Sequence, residues 1–73
     1  MVYKQIEKGK IEFKGIDNWN GQLVTGLIIY QPIDVKINQV WEVKFYDING
    51  SIKDSITEFR AASAKKCKEW LSN

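Results

Sequence analysis

The chain has 73 residues, with 11 Lys and Arg against 9 Asp and Glu, no histidine, and a net charge of +2. At 44% hydrophobic and 27% charged residues it reads as one small α+β domain over 1–73, not a disordered, collagenous or disulfide-scaffold chain. Without histidine there is no Ser-His-Asp triad, no Cys–His pair and no His-bound metal, and a single cysteine leaves no intrachain disulfide.

The first fourteen residues, MVYKQIEKGKIEFK, carry a charge in every turn and no apolar segment, so no signal peptide is expected. The longest apolar run, LIIY at 27–30, is far below the ~20 residues that span a membrane, and no membrane partner is expected. The free thiol of Cys67 suits a reducing, cytoplasmic compartment.

Residues 11–30 read as a hairpin. Ile11 and Phe13 alternate with Glu12 and Lys14, and Asn20-Gly21 is a type I′ turn signal. A two-residue turn there sets Phe13 opposite Ile28, Ile11 opposite Tyr30, Gly15 opposite Gly26 and Asp17 opposite Val24. Leu27 and Ile29 point to the other face, where they are either covered or form an exposed apolar strip. Trp19, in IDNWNG beside the turn, is either a stacking or interface residue or folds back onto the sheet.

In the middle, Ile33, Val35, Ile37, Trp41, Val43 and Phe45 all fall on odd positions between polar residues. One straight strand over 33–45 would run about 43 Å at ~3.3 Å per residue. A chain of this size has a radius of gyration of only roughly 11 Å, so the segment must bend or reverse near 38–40. A three-residue connection there keeps odd opposite odd, and a bulged single strand is the alternative. Pro32, lacking an amide donor, suits the start of an edge strand.

Asp47-Ile48-Asn49-Gly50 is a second turn. Ile52 and Ile56 at period two argue for a strand at about 51–56. Ser55 and Glu58 also fit a capping box. AASAKKCKEW is rich in helix formers, and a helix is expected over about 59–72. Phe59, Ser63, Cys67 and Trp70 share its inner face, and Ala64, Lys65 and Lys68 lie opposite. The expected fold is α+β, an antiparallel sheet of four or five strands packed under one C-terminal helix. Trp41 and Trp70 are core candidates, and Cys67 is either a core residue or, flanked by Lys65, Lys66 and Lys68, a reactive thiol.

Both ends are basic: Lys4, Lys8, Lys10 and Lys14 against Glu7 and Glu12, and Arg60, Lys65, Lys66 and Lys68 against Glu69. The segment 15–59 carries six acids against Lys36, Lys44 and Lys53. No carboxylate pair, calcium loop, GxGxxG, P-loop or GxSxG spacing occurs, so neither an enzyme nor a cofactor or metal is expected.

Residues 41–71 resemble the arm-binding amino-terminal domain of phage-type tyrosine integrases. Trp41 and Phe45 match its aromatic strand, Asp47 and Gly50 its turn, and Ser63, Cys67 and Trp70 its helix spacing. Phe59 departs from that pattern, standing four residues before Ser63 where the family usually has two. The resemblance implies a sheet that enters the DNA major groove, with Glu42, Lys44, Tyr46 and Lys53 near bases or phosphates. The residues suit two kinds of partner. Nucleic acid would be met by Lys44, Tyr46, Lys53, Arg60, Lys65, Lys66 and Lys68. Another protein would be met by Trp19, Leu27, Ile29 and an exposed sheet edge.

Overall fold

The computed structural model describes residues 1–32, 38–52 and 56–72. Five strands, β1 (Val2–Glu7), β2 (Lys10–Ile16), β3 (Leu23–Tyr30), β4 (Trp41–Phe45) and β5 (Phe59–Ala61), precede one helix, α1 (Ala64–Ser72). Each strand pairs antiparallel with the next, giving the sheet order β1-β2-β3-β4-β5. The helix lies on one face, as the strand and helix patterns predict.

The core is the layer between sheet and helix: Phe13, Ile28, Val43 and Ala61 from four strands, Cys67 and Leu71 from α1. Tyr3, Ile11, Val24, Trp41, Phe45, Phe59, Ala64 and Trp70 pack around it. Trp41, Val43 and Phe45 keep the odd parity read from the sequence. Gly26 lies opposite Phe13 and Phe45. A Cβ there would come within 2.1 Å of the Lys44 carbonyl oxygen and 2.7 Å of the Phe13 ring, so only glycine lets that ring cross the sheet.

The β2–β3 register differs from the expected one by two residues. Phe13 faces Gly26, Ile11 faces Ile28 and Gly15 faces Val24. The cause is the Asp17 carboxylate, which is buried and accepts the backbone N–H groups of Trp19, Asn20 and Gly21 through Oδ1. The Asp17 N–H donates to the Gln22 carbonyl at 2.9 Å, so the loop spans four residues rather than two. A shift of two preserves parity, and Phe13 and Ile28 stay on the helix side.

Further differences come from local chemistry. β1 exists and joins β2 through a turn in which Gly9 has φ of 77°, with an irregularity between Gln5 and Glu7. The strand expected at 51–56 is, among described residues, a single bridge between Tyr46 and Ile52. The last strand instead comes later, at Phe59–Ala61. The Asp47–Gly50 turn forms as read, with Asp47 Oδ1 accepting from Asn49 and Ser51 N–H. Ser63 caps the helix, its Oγ accepting the Lys66 N–H at 3.2 Å, so α1 begins at Ala64. Phe59 is therefore a strand residue, and Ala64 packs toward the core rather than away from it. Ser55 of the expected capping box, the odd-numbered apolar residues 33–37 and the strand expected to follow Pro32 lie outside the described residues.

Candidate nucleic-acid interface

Strand alternation sorts the charged residues between two faces. Phe13, Ile28, Val43 and Ala61 meet the helix, so Lys4, Glu12, Lys14, Leu27, Ile29, Glu42, Lys44 and Arg60 face the other way. On that far face Glu42 is 2% exposed and central. Its carboxylate pairs with the Arg60 guanidinium through Oε1 and lies 4.0 Å from the Lys44 ammonium through Oε2. Thr57 Oγ1 donates to it at 3.5 Å, and Arg60 Nη1 donates to the Gln39 carbonyl at 3.4 Å. Glu42 and Arg60 are register partners on adjacent strands, so the pairing is set by the β4–β5 ladder.

This arrangement corrects the expected outward strip. Lys44 is buried and paired with Glu42, and Arg60 spends its charge on the same carboxylate. Tyr46 donates its hydroxyl to Glu12 Oε2 at 3.1 Å, and burial followed by the Glu12 contact pushes its phenol above the ordinary range. Lys53 lies outside the described residues. On the helix, Lys65 and Lys66 are exposed, whereas half-buried Lys68 holds its ammonium 5.0 Å from the centre of the Tyr3 ring.

The apolar strip is corrected too. Leu27 is 7% exposed and Ile29 half-buried; Leu27 lies between Glu12 and Lys44, whose long side chains share its face. Three exposed apolar residues on that face stand at one corner instead: Val2, Ile16 and its register partner Leu23. Ile16 and Leu23 continue the alternation of β2 and β3, and the two-residue register shift makes them partners. Trp19 folds onto the protein yet stays 46% exposed. Its ring lies 4.7 Å from Trp70, which in turn stacks on Phe59 at 4.8 Å and 7°. Cys67 is fully buried, and burial pushes its thiol up to about 11, the opposite of an activated nucleophile.

Exposed Lys4 and Lys14 lie on the far face, whereas exposed Lys8 and Lys66 stand at the end of the sheet where β2 starts, β3 ends and α1 begins. There two hollows flank the row Tyr30–Trp41–Ala61, whose members are register partners on β3, β4 and β5. One, of about 480 Å³, is lined by Lys8, Gly9, Tyr30 and Trp41. The other, of about 450 Å³, is lined by Asn38, Gln39, Phe59, Arg60, Ala61, Ala62 and Lys66. The Tyr30 N–H donates to the Gly9 carbonyl at 2.8 Å and the Gln31 N–H to the Val40 carbonyl at 2.6 Å, which fixes the chain around the first hollow. Tyr30 and Trp41 meet edge to face at 5.3 Å, and Tyr30 is 48% exposed. No described residue lining either hollow is an Asp or a Glu.

Among the described residues no group of three or more His, Cys, Asp or Glu is placed to hold a metal ion, and no helix is long and apolar enough to cross a membrane. No family model, curated protein or solved structure matches this chain.

Proposed function

We propose that this protein is a small non-enzymatic nucleic-acid-binding module that works through the open end of the sheet rather than through its far face. The observation that carries the reading is the placement of exposed Lys8 and Lys66 on two hollows whose other described lining residues are aromatic or neutral, apart from Arg60. Lys65 adds a third exposed cation on the first turn of α1. Arg60 contributes less, because Glu42 already holds its guanidinium. Exposed ammonium groups gain phosphate contact by releasing condensed counterions, which requires no catalytic group.

Affinity for a labelled oligonucleotide should fall steeply between about 50 and 200 mM salt. Lys8→Glu with Lys66→Glu should abolish binding at moderate salt. Milder replacement of both by Gln should flatten the log–log salt slope by about 2, one unit per lost phosphate contact. Salt-independent affinity, or an unchanged slope in the Gln variant, refutes the reading.

A second reading has its own observation. Val2, Ile16 and Leu23 are 73%, 58% and 60% exposed on one corner of the far face, an apolar patch that suits a protein partner. It predicts that a captured partner, or self-association, is lost in Leu23→Lys while oligonucleotide affinity is unchanged.

A further inference from the structure

Resting on the nucleic-acid reading, we infer that the ligand of the open end is single-stranded, with unpaired bases seated against Tyr30 and Trp41 and flanking phosphates on Lys8 and Lys66.

Three features of the site argue for it. First, the surface is concave and aromatic rather than a flat or convex basic face. The Tyr30 ring is half exposed, and with Trp41 it bounds the 480 Å³ hollow, a space of the size that takes a small planar group. Paired bases keep their faces stacked inside the helix and present edges and phosphates. Only unpaired bases offer a face to an aromatic ring. Second, the cations stand at the margins and not between the rings. Lys8 borders the first hollow, Lys66 the second, and the Trp41–Ala61 pair separates them. A strand crossing that row would lay its backbone on both ammonium groups in succession. Third, the second hollow adds neutral hydrogen-bonding side chains, Asn38 and Gln39, beside Phe59. Amide groups there can meet base edges without adding charge.

The elements that would read a duplex are spent or turned elsewhere. Lys44 and Arg60 are held by Glu42, and the β1–β2 lysines Lys4 and Lys14 lie on the far face, on the other side of the sheet from the aromatic rings. An aromatic hollow could also take a proline-rich peptide. The flanking cations and the lack of a described acid in the lining favour the polyanion.

The test is fluorescence polarisation of a labelled twelve-nucleotide oligo(dT) and of a twelve-base-pair duplex, on the full chain. Oligo(dT) should bind at least tenfold more tightly than the duplex and should quench tryptophan emission. Tyr30→Ala should weaken oligo(dT) binding about tenfold, and Tyr30→Phe, which keeps the ring, should leave it intact. Tyr30 is half exposed, so both variants should melt cooperatively near the parent temperature, and Trp41 can stay untouched.

Equal affinity for duplex and single strand, or a Tyr30→Ala variant that binds like the parent, overturns the single-strand inference. If the same complexes remain salt-sensitive and depend on Lys8 and Lys66, the nucleic-acid reading itself survives. Absence of binding to either oligonucleotide overturns both, as does a proline-rich peptide that binds at Tyr30 when neither oligonucleotide does.

Discussion

Lys44 and Lys66 make a useful pair. Both are lysines on regular elements, one inside the alternating pattern of β4 and one in the basic run of α1. In the fold their positions diverge. Lys44 is 9% exposed beside a buried Glu42, and Lys66 stands free of the core at the rim of a hollow. The difference comes from register and not from local composition. Arg60, five residues before the lysine run, is opposite Glu42 on the ladder and joins Lys44 in a buried charge group. Formal charge in the chain is thus a poor guide to charge at the surface. Two cations of a basic segment can belong to different faces.

The comparison can be broken most directly at Glu42. Glu42→Leu removes the carboxylate that the Arg60 guanidinium and the Lys44 ammonium share. Breaking a buried pair in this way costs about 3–5 kcal/mol. Arg60 is 31% exposed at its side chain and can turn to water, so the lower part of that range is expected. Denaturant unfolding should show the loss. A near-neutral result would mean that the far face is wetter than its burial indicates. Next in size is Trp19→Ala, which removes the outer ring of the Trp19–Trp70–Phe59 stack. About 1–2 kcal/mol is expected, since an aromatic pair contributes about 0.5–1.5 kcal/mol beyond its buried area.

Cys67 sharpens the same lesson about chain neighbours and space. Lys66 and Lys68 adjoin it in sequence, yet burial raises the thiol to about 11. From its ordinary value near 9 up to about 11 the native thiol keeps a proton that the unfolded chain gives up. This contribution is therefore complete below about pH 9 and is lost as pH rises toward 11. In Cys67→Ala that part of the alkaline decline should be absent when unfolding is followed across this window. A thiol reagent at pH 8 should label the parent only on unfolding. The smallest effect should come at Lys66→Ala, where stability is expected to change by less than about 0.5 kcal/mol.

Periodicity made much of this fold legible. The odd-numbered residues of β4, the apolar face of β2 and the terminal helix all follow from which residues must be buried together. Side-chain capping was harder to read. Asp17 widened the first loop by taking three backbone donors, and Ser63 capped the start of the helix. β1 was hidden because Val2, Ile6 and their polar neighbours bury little, so no clean alternation marks an edge strand. The candidate site was least legible. Tyr30, Trp41, Lys8 and Lys66 come from four separate segments, and only strand pairing shows that they share an end.

The sheet is a simple meander, so each strand finds its partner next along the chain, a topology whose contacts between sequence neighbours favour fast folding. The Tyr3 hydroxyl makes a link of another kind. It donates to the Lys68 carbonyl at 3.2 Å, across 65 residues. That link can close only after the helix has docked, which makes the first strand a latch set by the last element. Fraying at either terminus should therefore loosen the other, and hydrogen exchange in β1 and in the last turn of α1 should rise and fall together.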